Sequence, residues 1–345
     1  TYLLSERQLS MFDSPEAIRF PRVAEGQVRF VPLPEAVNTD RTKTNWIFEF
    51  ERGAELFGVS AVADTRFIAA SRPPEFDLFM DGLDPFVDQV GAAVDGALLA
   101  GYHNLTPEHL ETDYETVHRH ARDVLDRLRA GRELPIHVEY AVTHDDALRQ
   151  SLTDIVLPEA DVIGLDATEL GLLRGDLDVD PSGRADESTP PVSDDLDARI
   201  VDHYRTLTAV RDRLDVPCVR LHAMKYHLAV TDDYLSPEAV RRGLEFAAVC
   251  AATKAATGHI AAAGDLERGL AYDPAREGRA AIEALAAHLG TSADDGRLCT
   301  ETVVAAPNRV VDAPAGTVGI GDIVSAASFA LEVAAASDEH GPERE

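Results

Sequence analysis

Thr317-Val318-Gly319-Ile320-Gly321-Asp322 ends an irregular segment, residues 310–316, and opens a run of small residues that predicts a helix from Asp322 to Ala336. Glycines at 319 and 321 let successive backbone N–H groups turn toward one point, a nest for an anion. The positive end of the helix dipole lies behind that nest. Asp322 sets a carboxylate at its edge. An anion cradle beside a base suits transfer of a phosphoryl group to a hydroxyl. The competing reading is an ordinary turn with Asp322 as N-cap.

Working back along the chain, strands alternate with helices from about residue 85. The predicted strands are Gly96 to Tyr102, Ile136 to Ala141, Val162 to Leu165 and Cys218 to His222. The predicted helices are Pro107 to Leu128, Asp145 to Val156, Ala198 to Leu214, Pro237 to Thr257 and Ala275 to His288. Such alternation implies an α/β fold, with a mostly parallel sheet covered on both faces and ligands at the carboxyl ends of its strands. Earlier, Val28 to Val31, Asn45 to Phe50, Leu56 to Val59 and Arg66 to Ala69 are short, aromatic or β-branched, and bounded by turn formers. They predict a small β-sheet unit. The expected division is 1–26 as a remainder of core and hinge, 27–75 as the β unit and 76–336 as the α/β core. Residues 174–197, rich in aspartate and proline, read as a solvated acidic insertion, and 337–345 as a frayed tail.

The chain has 345 residues, 45% of them hydrophobic, which is enough for one large domain with an appendage or for two domains. Its formal net charge is −29, and lysine occurs only at 43, 225 and 254. Acidic excess, scarce lysine and 6% aromatic content match a halophilic cytoplasmic protein. That charge argues against nucleic acid and anionic membrane as partners, because phosphate contacts need a basic surface. No apolar run reaches the length of a membrane span. Cys218, Cys250 and Cys299 have neither disulfide-framework nor zinc spacing, consistent with a reducing cytoplasm. The opening Thr1-Tyr2-Leu3-Leu4 reads as mid-domain sequence, so a fragment or processed product is expected.

Carboxylates fall where a parallel sheet places its site. In Pro135-Ile136-His137-Val138-Glu139-Tyr140-Ala141, His137 and Glu139 share one strand face. Asp166-Ala167-Thr168-Glu169 follows a strand and puts Asp166 and Glu169 on one helical face, where a variant capping box is the competing reading. Hard oxygen ligands beside a phosphate pocket suit Mg²⁺ held largely through water. No G-x-x-x-x-G-K-[ST] loop, no G-x-G-x-x-G after a strand and no G-x-S-x-G elbow occurs. A phosphate site here must rest on backbone N–H groups and arginine.

The Thr317 to Asp322 stretch resembles the closing motif of the ADP-dependent glucokinase/phosphofructokinase family, which has the ribokinase-like fold. Other segments are similar in the same order. Asn45 to Phe50 resembles the lid strand, and Arg66-Phe67-Ile68 the N-R-F-I element. Asp95 to Tyr102 resembles the central D-G-A-x-x-S-G-Y strand, His137-Val138-Glu139 the H-x-E motif and Asp166 to Glu169 the N-x-x-E motif. His222 and Tyr226 match an H-T-x-x-Y element, and Phe246 to Gly258 a helix reading F-x-x-x-x-A-A-T-x-A-x-x-G.

The resemblance implies a ribokinase-like three-layer core with a small β lid. It implies ADP as phosphoryl donor, AMP as product, and glucose or fructose 6-phosphate as acceptor in a glycolytic step. Asp322 would be the catalytic base, the backbone N–H groups of Gly319 to Asp322, Gly321 among them, would form the anion hole, and Val318 and Ile320 would help bind the nucleotide. Glu139 and Glu169, with Asp322, would hold Mg²⁺ through its water. His222 and Tyr226 would flank the nucleotide, and Arg199 would reach a phosphate. Gln150 stands where phosphofructokinases of the family carry lysine for the sugar phosphate, with Arg149 beside it to compensate or an unphosphorylated sugar in its place. Two alternatives stay open: a ribokinase-like kinase for another small acceptor, and a non-catalytic nucleotide-binding remnant. Oligomeric state is not fixed by the sequence.

Overall fold

The computed structural model describes residues 2–3, 9–10, 12, 14–38, 45–56, 58–62, 65–70, 82–105, 112–143, 145–179, 195–232 and 234–339. The chain divides into two units, Thr1–Phe86 and Val87–Glu345.

The first unit holds β1 (Tyr2–Leu3), β2 (Arg19–Ala24), β3 (Gln27–Pro32), α1 (Leu33–Ala36), β4 (Val37–Asn38), β5 (Asn45–Phe50), β6 (Glu55–Leu56), β7 (Val59–Ser60) and β8 (Thr65–Ala70). All are two-stranded pairings: β1 with β4, β2 with β3, β5 with β8 and β6 with β7. The single strand expected over Leu56 to Val59 is instead the tip of a hairpin. Gly58, at φ +79°, turns the chain between β6 and β7. On β5 and β8, Phe48 lies opposite Phe67 with ring centroids 6.0 Å apart, and both rings are exposed along with Trp46.

The second unit contains α2 (Val87–Gly91), β9 (Ala97–Leu99), α3 (Tyr114–Arg129), β10 (Ile136–Glu139), α4 (Asp146–Ile155), β11 (Val162–Leu165) and α5 (Ala167–Asp176). It continues with α6 (Leu196–Leu214), β12 (Cys218–His222), β13 (Tyr226–Thr231), α7 (Pro237–Thr257), α8 (Leu266–Leu270), α9 (Arg276–His288), β14 (Leu298–Cys299), β15 (Val303–Pro307) and α10 (Ile320–Glu339). One seven-stranded sheet runs β14-β15-β13-β12-β11-β10-β9. The four strands β9 to β12 are parallel, as expected from the alternation with helices. β13, β14 and β15 extend the sheet by antiparallel pairings, which the alternation did not reveal. Fold class is therefore α/β with a mixed, mostly parallel-cored sheet and small antiparallel pairings beside it in the sequence.

Helix boundaries follow their caps. Asp113 accepts from Thr116 N–H and starts α3 later than the expected Pro107; residues 106–111 lie outside the described set. Ser236 caps α7 with Pro237 in its first turn, and Gly258, at φ +81°, ends it. The strand expected to reach Tyr102 stops at Leu99, because Gly101 at φ +101° turns the chain into a 3-10 turn over Tyr102–Asn104. The expected acidic insertion is narrower than 174–197: residues 174–176 finish α5, and Asp195 caps α6. Its middle, 180–194, lies outside the described residues. Residues 337–339, expected to fray, continue α10, while 340–345 lie outside the described set. Among the described residues no helix is long and apolar enough to cross a membrane.

One face of the sheet meets α7. Val162, Cys218, Ala229, Val304 and Ala306 form a dry cluster with Val240 and Leu244. Leu244 is 0% exposed. Its replacement by alanine leaves a cavity between helix and sheet, and Leu244→Ala should lower unfolding free energy by about 2–5 kcal/mol. Urea titration reads this as a lower midpoint at an unchanged slope; an unchanged midpoint would show that the cluster is not core.

Candidate phosphoryl-transfer site

Strands β10, β11 and β12 end side by side, so Glu139, Asp166 and His222 come together at one edge of the sheet. α10 begins above them. Its first ladder bond runs from Ile323 N–H to Gly319 C=O at 3.1 Å, so the N–H groups of Ile320, Gly321 and Asp322 precede the helical ladder. Gly319 sits at φ +75°, a backbone region that favours glycine. The helix starts two residues before the expected Asp322, because this left-handed glycine is its entry point. Asp322 is thus inside the first turn and is not the N-cap. Its Oδ2 leans back to 3.6 Å from where a Cβ on Gly319 would stand.

The base of the pocket is polar and buried. His137 Nε2 lies 3.1 Å from Glu139 Oε2. Burial, helped by the nearby Arg220 charge, pushes the His137 pKa well below the usual imidazole range. His137 Nδ1 has no partner among the described residues. His222 Nε2 stands 3.8 Å from Glu139 Oε1. It is also 2.9 Å from a Cβ built on Gly321, so the second glycine of the motif is where the imidazole approaches the helix. Burial lowers the His222 pKa, against the opposing charges of Glu139, Asp166 and Asp322. Burial raises that of Glu139; His222 pulls it down and Asp322 pushes it up. These mutual effects place Glu139, His222, Asp166 and Asp322 in one electrostatic neighbourhood.

Glu169 joins it through the capping box. Asp166 Oδ1 accepts from Thr168 and Glu169 N–H at 2.7 and 2.9 Å, while Glu169 Oε2 accepts from Asp166 N–H at 2.6 Å. Glu169 Oε1 accepts from Val142 N–H at 3.2 Å. The capping reading of Asp166 to Glu169 is therefore realised. The same carboxylate also feels Glu139.

The other expected residues are engaged as follows. Tyr226 is 1% exposed, and its hydroxyl lies 2.8 Å from His203 Nδ1, so it is a core ring with its polar end taken. Arg199, in the first turn of α6, is half-buried and near enough to His203 and Tyr226 to shift both. Val318 is half-buried in the turn, and Ile320 packs against Ala247, Ala251 and Val324. Arg149 is committed: Nε donates to Asp176 Oδ2 at 2.9 Å, Nη2 to Asp146 Oδ1 at 2.7 Å and Nη1 to Thr143 C=O at 2.8 Å. Two residues were not singled out from sequence. Gly164 leaves the lane into which Glu139 and His137 lean, with a Cβ there only 2.2 Å from Glu139 Oε2 and 2.5 Å from His137 Nε2. A glycine inside a strand was the available signal. Arg220 gave no signal, since a charged residue within a strand reads as solvent-facing.

Burial, reinforced by Asp166 and Glu139, raises the Glu169 pKa from 4.5 to about 8. The fold then holds a proton that the unfolded chain gives up, so this group's contribution to stability is full below about pH 4.5 and lost as pH rises through about 8. Glu169→Gln keeps the capping geometry without the titration. The stability of the parent relative to Glu169→Gln should fall between those limits. Parallel curves for the two proteins, from unfolding measured across pH, would show that Glu169 does not titrate upward.

Residues 1–331 match the sequence profile described as the ADP-specific phosphofructokinase/glucokinase conserved region. The chain is 29% identical over 339 residues to the ADP-specific phosphofructokinase of Pyrococcus furiosus, covering 95% of this chain and 72% of that protein. It is 27% identical over 331 residues to the ADP-dependent glucose/glucosamine kinase of the same organism, covering 94% and 69%. Among solved structures, an ADP-dependent kinase in complex with fructose-6-phosphate and ADPbetaS superposes with a TM-score of 0.81 at 29% identity, over 96% of this chain and 74% of that one. A phosphofructokinase from Pyrococcus horikoshii with AMP gives 0.74 at 25% identity, over 96% and 73%. The chain belongs to the ADP-specific phosphofructokinase/glucokinase family.

Proposed function

We propose that this chain is an ADP-dependent sugar kinase that moves the β-phosphate of ADP to a hexose hydroxyl and releases AMP. The observation that carries the reading is the start of α10. Three N–H groups ahead of the helical ladder stand beside the Asp322 carboxylate, with Glu139 and His222 within charge reach. Those N–H groups and the helix dipole would neutralise the phosphoryl oxygens. Asp322 would take the proton of the acceptor hydroxyl as its oxygen bonds to the β-phosphorus. The bridging bond to the α-phosphate then breaks, and AMP leaves.

The donor set suits a magnesium ion only at second hand. Among the described residues no three metal-ligating side chains converge. Both oxygens of Glu169 already accept backbone N–H bonds, and those of Glu139 face His137 and His222. Each carboxylate oxygen keeps a second lone pair, so Glu139 and Glu169 would hold the ion's water rather than the ion. When bound with the nucleotide, Mg²⁺ supplies charge neutralisation of the phosphates.

For the acceptor, two readings compete. Gln150 is exposed and bonded to Asp154, and Arg149 is committed to Asp176, Asp146 and Thr143. Neither offers a free cation for a sugar phosphate at that place, which favours an unphosphorylated hexose; the higher identity to the phosphofructokinase favours fructose 6-phosphate.

Asp322→Asn should cut turnover with ADP about 10²-fold or more while nucleotide affinity stays near that of the parent. Steady-state kinetics with glucose and with fructose 6-phosphate, together with ADP titration, read both quantities. Retained turnover would remove Asp322 as the base. A parent that binds ADP but phosphorylates neither sugar would favour the non-catalytic reading.

A further inference from the structure

Behind the phosphoryl-transfer site, one charged pair is sealed in the interior. Arg220 of β12 is 1% exposed and Glu332 of α10 is 0% exposed. Arg220 Nη2 donates to Glu332 Oε2 at 2.7 Å, and Nη1 donates to Ser328 Oγ at 2.8 Å. The other oxygen of Glu332 rests against Gly243 of α7, where a Cβ would stand 2.5 Å from Oε1 and 2.9 Å from Ser328 C=O. α10 is thus held between a guanidinium rising from the sheet and a bare glycine on the neighbouring helix.

The same face of α10 reaches the site. Gly321, Ser325, Ser328 and Glu332 follow one another at intervals of four, three and four residues, which is one helical stripe. Gly321 meets His222. Ser325 is buried with its hydroxyl unpartnered among the described residues, yet lies near enough to Glu139 to lower its pKa. Ser328 and Glu332 hold Arg220. On the sheet, Glu139 is in register with Gly164, and Gly164 with Arg220, so the guanidinium and the Glu139 carboxylate lie in one cross-strand row separated by a residue without a side chain. Arg220 also lowers the Glu139 pKa. One guanidinium therefore touches the helix that carries Asp322 and acts on the strand that carries Glu139.

A buried pair of this kind is a poor source of stability, because desolvation offsets most of its attraction and well-packed apolar residues can replace it. Its particular property is direction. Between α7 and α10, Ala247 and Ala251 meet Ile320, Val324 and Ala327, and Gly243 meets Ser328 and Glu332; apolar contacts of this kind are non-directional, whereas two hydrogen bonds to one guanidinium fix an axial position. Asp322 is ten residues from Glu332, about 15 Å along the same rigid helix. A misplacement near 1 Å can cost about 10²-fold in rate.

We propose that Arg220, Ser328 and Glu332 are positioning residues that set the axial placement of α10, and with it the placement of Asp322 and the Gly319–Asp322 nest over Glu139. The activity arm of the test rests on the sugar-kinase reading above; the second arm does not.

The test compares the parent with Arg220→Met/Glu332→Leu, an apolar pair of similar volume. Thermal unfolding, kcat and KM for ADP are measured, and amide hydrogen exchange of residues 323–328 is followed without substrate. The double variant should unfold within a few degrees of the parent or above it. Its kcat should fall about 10- to 100-fold, with KM for ADP within about threefold. Exchange at 323–328 should quicken while that of α6 stays unchanged. Parent-like kcat in a folded double variant overturns the proposal. If the parent itself does not turn over ADP, the kinase reading fails, and parent-like exchange at 323–328 is then the result that overturns the positioning role. If the double variant does not fold, Ser328→Ala, which keeps the ion pair, carries the same two readouts: lowered kcat and faster exchange support the proposal, and parent-like values of both overturn it.

Discussion

A guanidinium at 1% exposure has to be answered from inside the protein, and in this chain the answer comes from a different element than the one that carries it. Arg220 belongs to the sheet, and its partners Ser328 and Glu332 belong to α10. Losing either side would leave a buried charge unpaired, the costliest outcome for a protein interior. Sheet and helix are therefore committed to one another at this point. Burial pushes the Glu332 carboxyl up to about 7, and the Arg220 charge opposes that shift. Arg220 remains charged, held so by the same carboxylate.

The candidate phosphoryl-transfer site inherits its geometry from that commitment. Three strand ends supply Glu139, Asp166 and His222, while α10 supplies the nest and Asp322. Glycines occur where these parts approach. Gly164 leaves room for Glu139 and His137, Gly321 for His222, and Gly243 for Glu332. At each, a single methyl group would fall within 3 Å of a polar atom. The interior between sheet and α10 is thus shaped by absent side chains as much as by present ones. It mixes polar and apolar groups: Phe329 of α10 meets the His137 ring edge-on, and Phe329 and Val333 close over Gly96.

The sequence was most legible where local chemistry dictates local structure. The glycine pair before Asp322, the alternation in His137-Val138-Glu139 and the four parallel strands could all be read from spacing. So could the capping box at Asp166 to Glu169, whose hydrogen bonds leave each Glu169 oxygen a second lone pair. What was not legible depends on long-range pairing. β13 and β15 are short apolar runs, Tyr226–Thr231 and Val303–Pro307, whose antiparallel placement depends on each other and on β12. Tyr226 stands beside the nucleotide by resemblance; spacing did not announce that its hydroxyl pairs with His203, twenty-three positions away and on another element. Arg149 looked available because Asp176, which takes it, lies on the next helix. In each case the deciding partner is distant in sequence, and no local pattern announces it.

In the proposed reaction, the anion nest at the start of α10 receives the terminal phosphate of a diphosphate, which passes to a sugar. Phosphorus NMR of the full chain with ADP, Mg²⁺ and either glucose or fructose 6-phosphate tests that transfer most directly. The β-phosphate signal of ADP should disappear in step with the growth of AMP and a new sugar phosphate. An unchanged ADP spectrum alongside sugar phosphorylation from ATP would contradict it.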